Sequence, residues 1–295
     1  MAKLLLSMVD IGRRYKGIGI LLLSFLQLKN ASAQVKDERW DIDLVRKNVL
    51  RTHHIQSASI YGYHFNNKGK PIDSELVKTI EYNDDGNETL MLVKRSTYAD
   101  QKQFYEYNEL KQLVRIKVKS ATTGVLSHTI EFEYDSSGNA IGRFEFNKDT
   151  ASVIIEFREF DAAGNLTSVS VKTDANDAVL SRKFYYDFKG RRKRAEIYEE
   201  GKRISAVFDV EFLDQERKEK IYQTTAQSRS LSTEIFYDGQ GRVLQRYMPQ
   251  VAILRGEIVS STENYYYNAW GLEEQVDSYK GDQLIYRTRT VYNIR

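Results

Sequence analysis

Few side chains in this sequence are equipped for chemistry. Histidine, the usual proton carrier and metal ligand near neutral pH, occurs only at His53, His54, His64 and His128, and no carboxylate stands at a recognised metal-ligand spacing from any of them. His53 and His54 are adjacent, so in an extended segment they point to opposite faces and do not share an ion. Asn83, Asp84, Asp85, Gly86 and Asn87 follow the opening of a calcium loop, but an EF-hand needs a glutamate at its twelfth position and a helix on either side. Those five residues read better as a hairpin turn. There is no Gly-x-Ser-x-Gly elbow, phosphate-cradling loop or dinucleotide fingerprint. Glu and Asp are too numerous for any two neighbours to identify a hydrolytic pair. Cysteine is absent, which excludes thiolate catalysis, thiolate metal sites, disulfides and a lipidated N-terminal cysteine. The expectation is a protein that is not an enzyme, with no catalytic, cofactor-binding or metal-binding residues and no cofactor.

The first 33 residues are a signal peptide by pattern. Arg13, Arg14 and Lys16 precede an apolar run from Gly17 to Leu28, and Ala31-Ser32-Ala33 supplies the small-residue cleavage site. Cleavage leaves Gln34 as the new N-terminus, and a start at Met8 would give a leader of more ordinary length. The apolar run is too short to cross roughly 30 Å of hydrocarbon, so no transmembrane segment is expected after cleavage. The leader carries five basic residues and one acidic one, so its removal takes the formal net charge from +3 to −1. A nucleic-acid partner requires a concentrated positive footprint. The cluster Arg191-Arg192-Lys193-Arg194 reads instead as a wet strand face, and no nucleic acid is expected to bind.

The elements that would position any site are strands. Aromatic residues are abundant, with 20 Tyr and 13 Phe against 2 Pro, a composition suited to half-buried sheets. A repeated unit runs aromatic, Asp or Asn, two variable residues, Gly. It appears as Phe65-Asn66-Asn67-Lys68-Gly69, Tyr82-Asn83-Asp84-Asp85-Gly86, Tyr134-Asp135-Ser136-Ser137-Gly138 and Phe160-Asp161-Ala162-Ala163-Gly164. It continues as Tyr186-Asp187-Phe188-Lys189-Gly190, Tyr237-Asp238-Gly239-Gln240-Gly241 and Tyr267-Asn268-Ala269-Trp270-Gly271, with degenerate copies at Tyr107 and Phe212 and an unfinished one at Tyr292-Asn293. The intervals are 17, 25, 27, 26, 26, 26, 25, 30 and 25 residues, a period near 26.

In each unit Asp or Asn bonds back to the chain and Gly takes the positive φ of a tight turn. Flanking residues alternate as strands do: Ile130, Phe132 and Tyr134 point one way, Glu131 and Glu133 the other. Arg158 before Phe160 breaks the alternation and suggests a bulge. Two strands per period predict an all-β antiparallel meander of tandem hairpins, roughly 16 to 20 strands, coiled into a curved sheet or partial open shell with aromatics inward. Residues 34 to 60 are read as an N-terminal cap, a short helix or irregular edge strand, and 61 to 295 as the repeat array.

The units at Tyr186 to Arg191 and Tyr237 to Arg242 resemble the tyrosine-aspartate (YD, RHS-like) repeats of bacterial secreted proteins. That resemblance implies long coiled β-sheets, some of them toxin-enclosing shells and some linked to carbohydrate. This array is too short for such a shell and lacks its Pro-containing self-cleavage segment.

The expected role is therefore an exported scaffold, periplasmic, cell-surface or extracellular, whose partner is an envelope protein or carbohydrate. The alternative is a structural subunit that assembles by edge-strand pairing, with an enzyme of unrecognised motif as a third possibility. Trp270 is the best single contact candidate, although packing against a neighbouring hairpin is the plainer account of it. An outer-membrane barrel is a rival architecture, opposed by the charges at Glu131, Glu133 and Arg191 to Arg194, each midplane Arg or Lys costing about 2 to 4 kcal/mol in lipid.

Overall fold

The computed structural model describes residues 38–94, 100–147, 153–173, 177–199, 201–252 and 258–294. The leader and its cleavage site lie outside them.

Each repeated unit folds as its composition dictates. The Asp135 carboxylate accepts hydrogen bonds from the backbone N–H of Ser137 (2.9 Å) and Asn139 (2.8 Å), while Gly138 adopts φ +82° and donates to the Asp135 carbonyl at 3.0 Å. The same pair of bonds recurs at Asn66, Asn83, Asp161, Asp187, Asp238 and Asn268. The bonds to Asp135, led by the Asn139 amide, hold its carboxyl below the ordinary value. Burial raises Asp161, Asp187 and Asp238, but their turn hydrogen bonds outweigh it and the net shift is again downward. A carboxyl depressed by folding contributes stability above its unfolded pKa and loses it as pH falls through the folded one. Stability is thus expected to fall below about pH 4, and replacing these four Asp by Asn should flatten that limb in urea denaturation followed against pH.

Between the turns run eighteen strands. They are β1 (Ile55–Phe65), β2 (Pro71–Tyr82), β3 (Glu88–Val93), β4 (Gln101–Tyr107), β5 (Leu113–Ser120), β6 (Leu126–Tyr134), β7 (Ala140–Asn147), β8 (Val153–Phe160) and β9 (Leu166–Thr173). There follow β10 (Val179–Tyr186), β11 (Arg192–Glu199), β12 (Arg203–Leu213), β13 (Lys218–Thr224), β14 (Arg229–Tyr237), β15 (Val243–Ala252), β16 (Ile258–Tyr267), β17 (Glu273–Lys280) and β18 (Gln283–Ile294). Every strand pairs antiparallel with the next, as the meander reading requires.

The open or partial shell is corrected by the seam. β18 pairs with β1 over Ala58↔Tyr292, Ile60↔Thr290 and Gly62↔Thr288, and β1 also pairs with β2. The ring is a closed 18-stranded barrel. The unfinished repeat at Tyr292 is completed by the chain's own first strand, and neither end of the sheet is left free. Assembly by edge-strand pairing therefore has no edge to use. β1 begins at Ile55, within the 34 to 60 segment.

Directly paired residues share a face, so the register identifies the inside. Ala58, Ile80, Met91, Gln103 and Val118 are paired in succession across β1 to β5, as are Phe184, Ala195 and Phe208 across β10 to β12. Val118 is 2 %, Val169 1 % and Phe184 3 % exposed. That burial belongs to the concave side, the lumen.

The convex side is polar and cross-linked. Arg115 reaches Glu131 (2.9 Å) and Glu106 (3.1 Å), and Lys117 also pairs with Glu106. Arg287 chelates Asp277 at 2.6 and 2.8 Å. Glu196 accepts from Tyr185, Tyr198 and Arg194.

A register shift accompanies most of the repeated aromatics, as at Glu81/Tyr82, Glu133/Tyr134 and Tyr266/Tyr267. The bulge is thus a regular part of the repeat. The one on β8 falls at Glu159/Phe160, so Arg158 has a different meaning, taken up below.

Tyrosine supplies a link that the sequence reading missed. The hydroxyls of Tyr107, Tyr134, Tyr186, Tyr267 and Tyr292 donate to the carbonyls of Glu88, Leu113, Leu166, Val243 and Glu273 at 2.7 to 2.9 Å. Each acceptor stands six residues beyond the preceding repeat's aromatic. Successive hairpins are therefore latched tyrosine to backbone, which accounts for Tyr at these positions where Phe would fill the same space.

Candidate functional site

Two features stand against the inner face. The first is a helix, α1 (Glu38–Thr52), which confirms the helical option for the N-terminal segment. Leu50, 2 % exposed, packs in one cluster with Ile55, Ala58, Ile80, Tyr82, Met91 and Leu272, so the helix is seated on the first strands and beside the turn that precedes β17. Arg46 donates to the Tyr82 hydroxyl at 3.1 Å and lies 3.9 Å from Glu88. Tyr82 is the repeat tyrosine of the second unit, and its hydroxyl here holds the helix. Burial lowers the pKa of Lys78 and raises those of Tyr82 and Tyr292 around this contact.

The helix lies hard against the second turn. A Cβ built on Gly86 would stand 2.6 Å from the Lys47 carbonyl oxygen, whereas one on Gly69 meets nothing within 4 Å; both glycines have positive φ. Gly69→Ala is expected to cost only the left-handed penalty, about 1 to 2 kcal/mol. Gly86→Ala should cost about 1 to 3 kcal/mol more, because backbone must move. Urea denaturation of the two variants measures the difference, which reports how firmly the helix is seated.

The second feature is a set of inward charges on β7, β8 and β10. Register places Arg143 and Glu156 opposite each other, Glu145 opposite Ile130, and Val169 opposite both Arg158 and Arg182. Glu156 receives Arg158 at 3.1 Å, Arg182 at 3.4 Å and Arg143 at 3.8 Å. Arg143 also bonds Glu145 at 2.9 Å. Burial pulls the Arg182 pKa down, with Glu156 opposing and the other two arginines reinforcing the shift. Arg158, which breaks the alternation before Phe160, is thus one member of a charged patch on the inner face. It was the one sequence signal for that patch.

The residues singled out by type are not brought together. His53 and His54 end α1, where His54 takes a left-handed conformation (φ 51°) and closes the helix through a bond to the Arg51 carbonyl. They are not in an extended segment. His64 lies 3.8 Å from Glu75 and against Tyr286, and His128 bonds Ser127. Trp270 stacks on His53 with centroids 4.7 Å apart, so its ring packs against the end of the helix. Asn83 accepts from the N–H of Asp85 and Asn87, and Asp85 pairs with Lys111 at 2.6 Å. Two members of the basic run are matched: Arg191 pairs with Asp187 and Asp214, and Arg194 with Glu196.

No protein-family profile matches the chain, and no curated protein does. Among solved structures, it is similar to a porin-like protein from Bacteroides uniformis at 10 % identity, covering 82 % of this chain and 98 % of that one, with a TM-score of 0.43. A porin-like protein from Bacteroides vulgatus matches at 9 % identity over 81 % of this chain and 98 % of that one, TM-score 0.26. The TcdB2–TccC3 structure matches at 9 % identity over 74 % of this chain and 16 % of that one, TM-score 0.29. The class of molecule is set by its own pairing, a closed antiparallel β-barrel with a helix packed against inner-face residues beside the turns. The resemblance to YD repeats is accordingly withdrawn as an assignment, since the sheet closes on itself at 18 strands and no family profile supports it.

Proposed function

We propose that this chain is an exported, non-enzymatic binding scaffold of the cell envelope, which offers the lumen of a closed barrel to a protein segment or a glycan. The observation that supports the reading most directly is the charged patch of Arg143, Glu145, Glu156, Arg158 and Arg182 on the inner face. A purely structural lining would gain more from apolar packing, because burying ion pairs is at best close to neutral in energy. Barrels of 16 to 18 strands are wide enough to leave an aqueous space.

Closure with an even number of antiparallel strands also favours a second reading, a barrel embedded in the outer membrane. Against it stand the convex-side pairs Arg115–Glu131, Arg287–Asp277 and Arg194–Glu196, which a lipid face would have to desolvate.

Affinity capture of the tagged protein, residues 34–295, from an envelope extract of its own host tests the first reading. The expected result is a stoichiometric protein or a bound glycan, while clean recovery of the barrel alone would overturn it. Washing the membranes with carbonate and urea separates the two locations. Release into the wash is expected for a barrel with a wetted exterior, and retention until detergent is added would establish the embedded one. Mass spectrometry of the mature N-terminus is expected to begin at Gln34.

A further inference from the structure

The inner charged patch is unbalanced. Among the described residues and ion pairs, three guanidinium groups, those of Arg143, Arg158 and Arg182, gather about two carboxylates, Glu145 and Glu156. Elsewhere on the lumen face Arg246 meets Glu263 at 3.2 Å, one to one. Each guanidinium carries five N–H donors in a planar fork suited to an oxyanion, and a single glutamate is the shared acceptor for all three. Arg182 is 6 % exposed at its side chain and Arg158 10 %, while Arg143 keeps 22 %. The deep pair is thus held in place by packing and the shallower arginine opens to the lumen. Cations gathered in a partly desolvated position favour an anion beside them.

We infer that Arg143, Arg158 and Arg182 form an oxyanion site in the lumen, taking the carboxylate, sulfate or phosphate group of a ligand beside Glu156. The inference deepens the lumen-binding reading and rests on it. Arg143 supplies the accessible fork, and Arg158 and Arg182 supply the field behind it. Glu156 organises the three arginines and at the same time competes with the ligand for them.

That double role gives the test its sign. The purified barrel is titrated calorimetrically at low salt with inorganic sulfate, inorganic phosphate and a short oligo-uronate. Saturable binding is expected for the unaltered protein, weakened at least tenfold by Arg143→Gln. Glu156→Gln removes the competing charge and should bind at least several-fold more tightly, with an anion-dependent rise in Tm exceeding that of the parent. Arg143→Lys keeps the charge without the fork and should fall between. Where Arg182→Gln does not fold, Arg143→Gln and Glu156→Gln decide the matter. Binding of all three anions assigns a simple oxyanion, and binding of the uronate alone assigns an acidic glycan. No saturable binding in either the parent or Glu156→Gln, or affinity unchanged by Arg143→Gln, overturns the site. The outcomes remain separable: failed capture with intact anion binding removes the partner reading, and captured partner without anion binding removes this site.

Discussion

A Ser59→Cys, Val291→Cys double variant is expected to form one intramolecular disulfide, quantitatively and without loss of fold. The two residues are paired directly across the seam between β1 and β18, on the convex side where an oxidant reaches them. The chain has no other cysteine to compete. Directly opposed residues of an antiparallel pair have Cα atoms about 4.5 to 5.5 Å apart, within the span a disulfide tolerates. The new bond closes a loop of roughly 230 residues, for which the chain-entropy limit is a gain of about 5 kcal/mol. Non-reducing electrophoresis, mass spectrometry and the reducible increment in denaturation midpoint measure it. In a partial shell those two strands would lie at opposite ends of the sheet, and the product would be mixed dimers and free thiol. Closure, and not only strand content, is what this experiment reads.

Phe184→Ala is expected to cost about 3 to 5 kcal/mol, the range for truncating a buried aromatic. Phe146→Ala should change stability by no more than about 0.5 kcal/mol, as surface substitutions usually do. Phe184 is 3 % exposed within the cluster of Leu166, Val169, Ala195, Ala206 and Phe208, whereas Phe146 is 40 % exposed on the convex face. The residue type and the strand environment are the same, so the contrast isolates which face is concave. Chemical denaturation with a common m-value makes the comparison. Equal costs for the two substitutions would sink the assignment of inside and outside.

Both experiments address what local patterning leaves open. Alternation along β6 tells that Ile130 and Phe132 share a face opposite Glu131 and Glu133, and the register agrees. It does not tell that the same inward row carries Arg143, Glu145, Glu156, Arg158 and Arg182 a few strands later. A rule that apolar means inside places those charges outside until their partners are known. Only Arg158, next to a repeat aromatic, stood out, and a bulge was the nearest local explanation for it. The bulge proved general to the repeat, and the arginine specific to the lumen. The tyrosine latches were hidden for a similar reason, because the acceptor of Tyr134 is a backbone carbonyl 21 residues away, which carries no residue signature.

The sequence by itself determined the turns, the strands between them and their antiparallel order. Those depend on interactions within about five residues, an Asx bond and a glycine with positive φ, or on pairing across a short hairpin. The tertiary structure alone decided closure, the seating of α1 on the first strands, and the meeting of three arginines on Glu156. Closure brings residue 58 against residue 292, and it follows from the twist and stagger accumulated over all eighteen strands. No window of sequence contains that sum. The arginines converge because β7, β8 and β10 are brought together by the same curvature that makes one face concave, and concavity belongs to the whole ring.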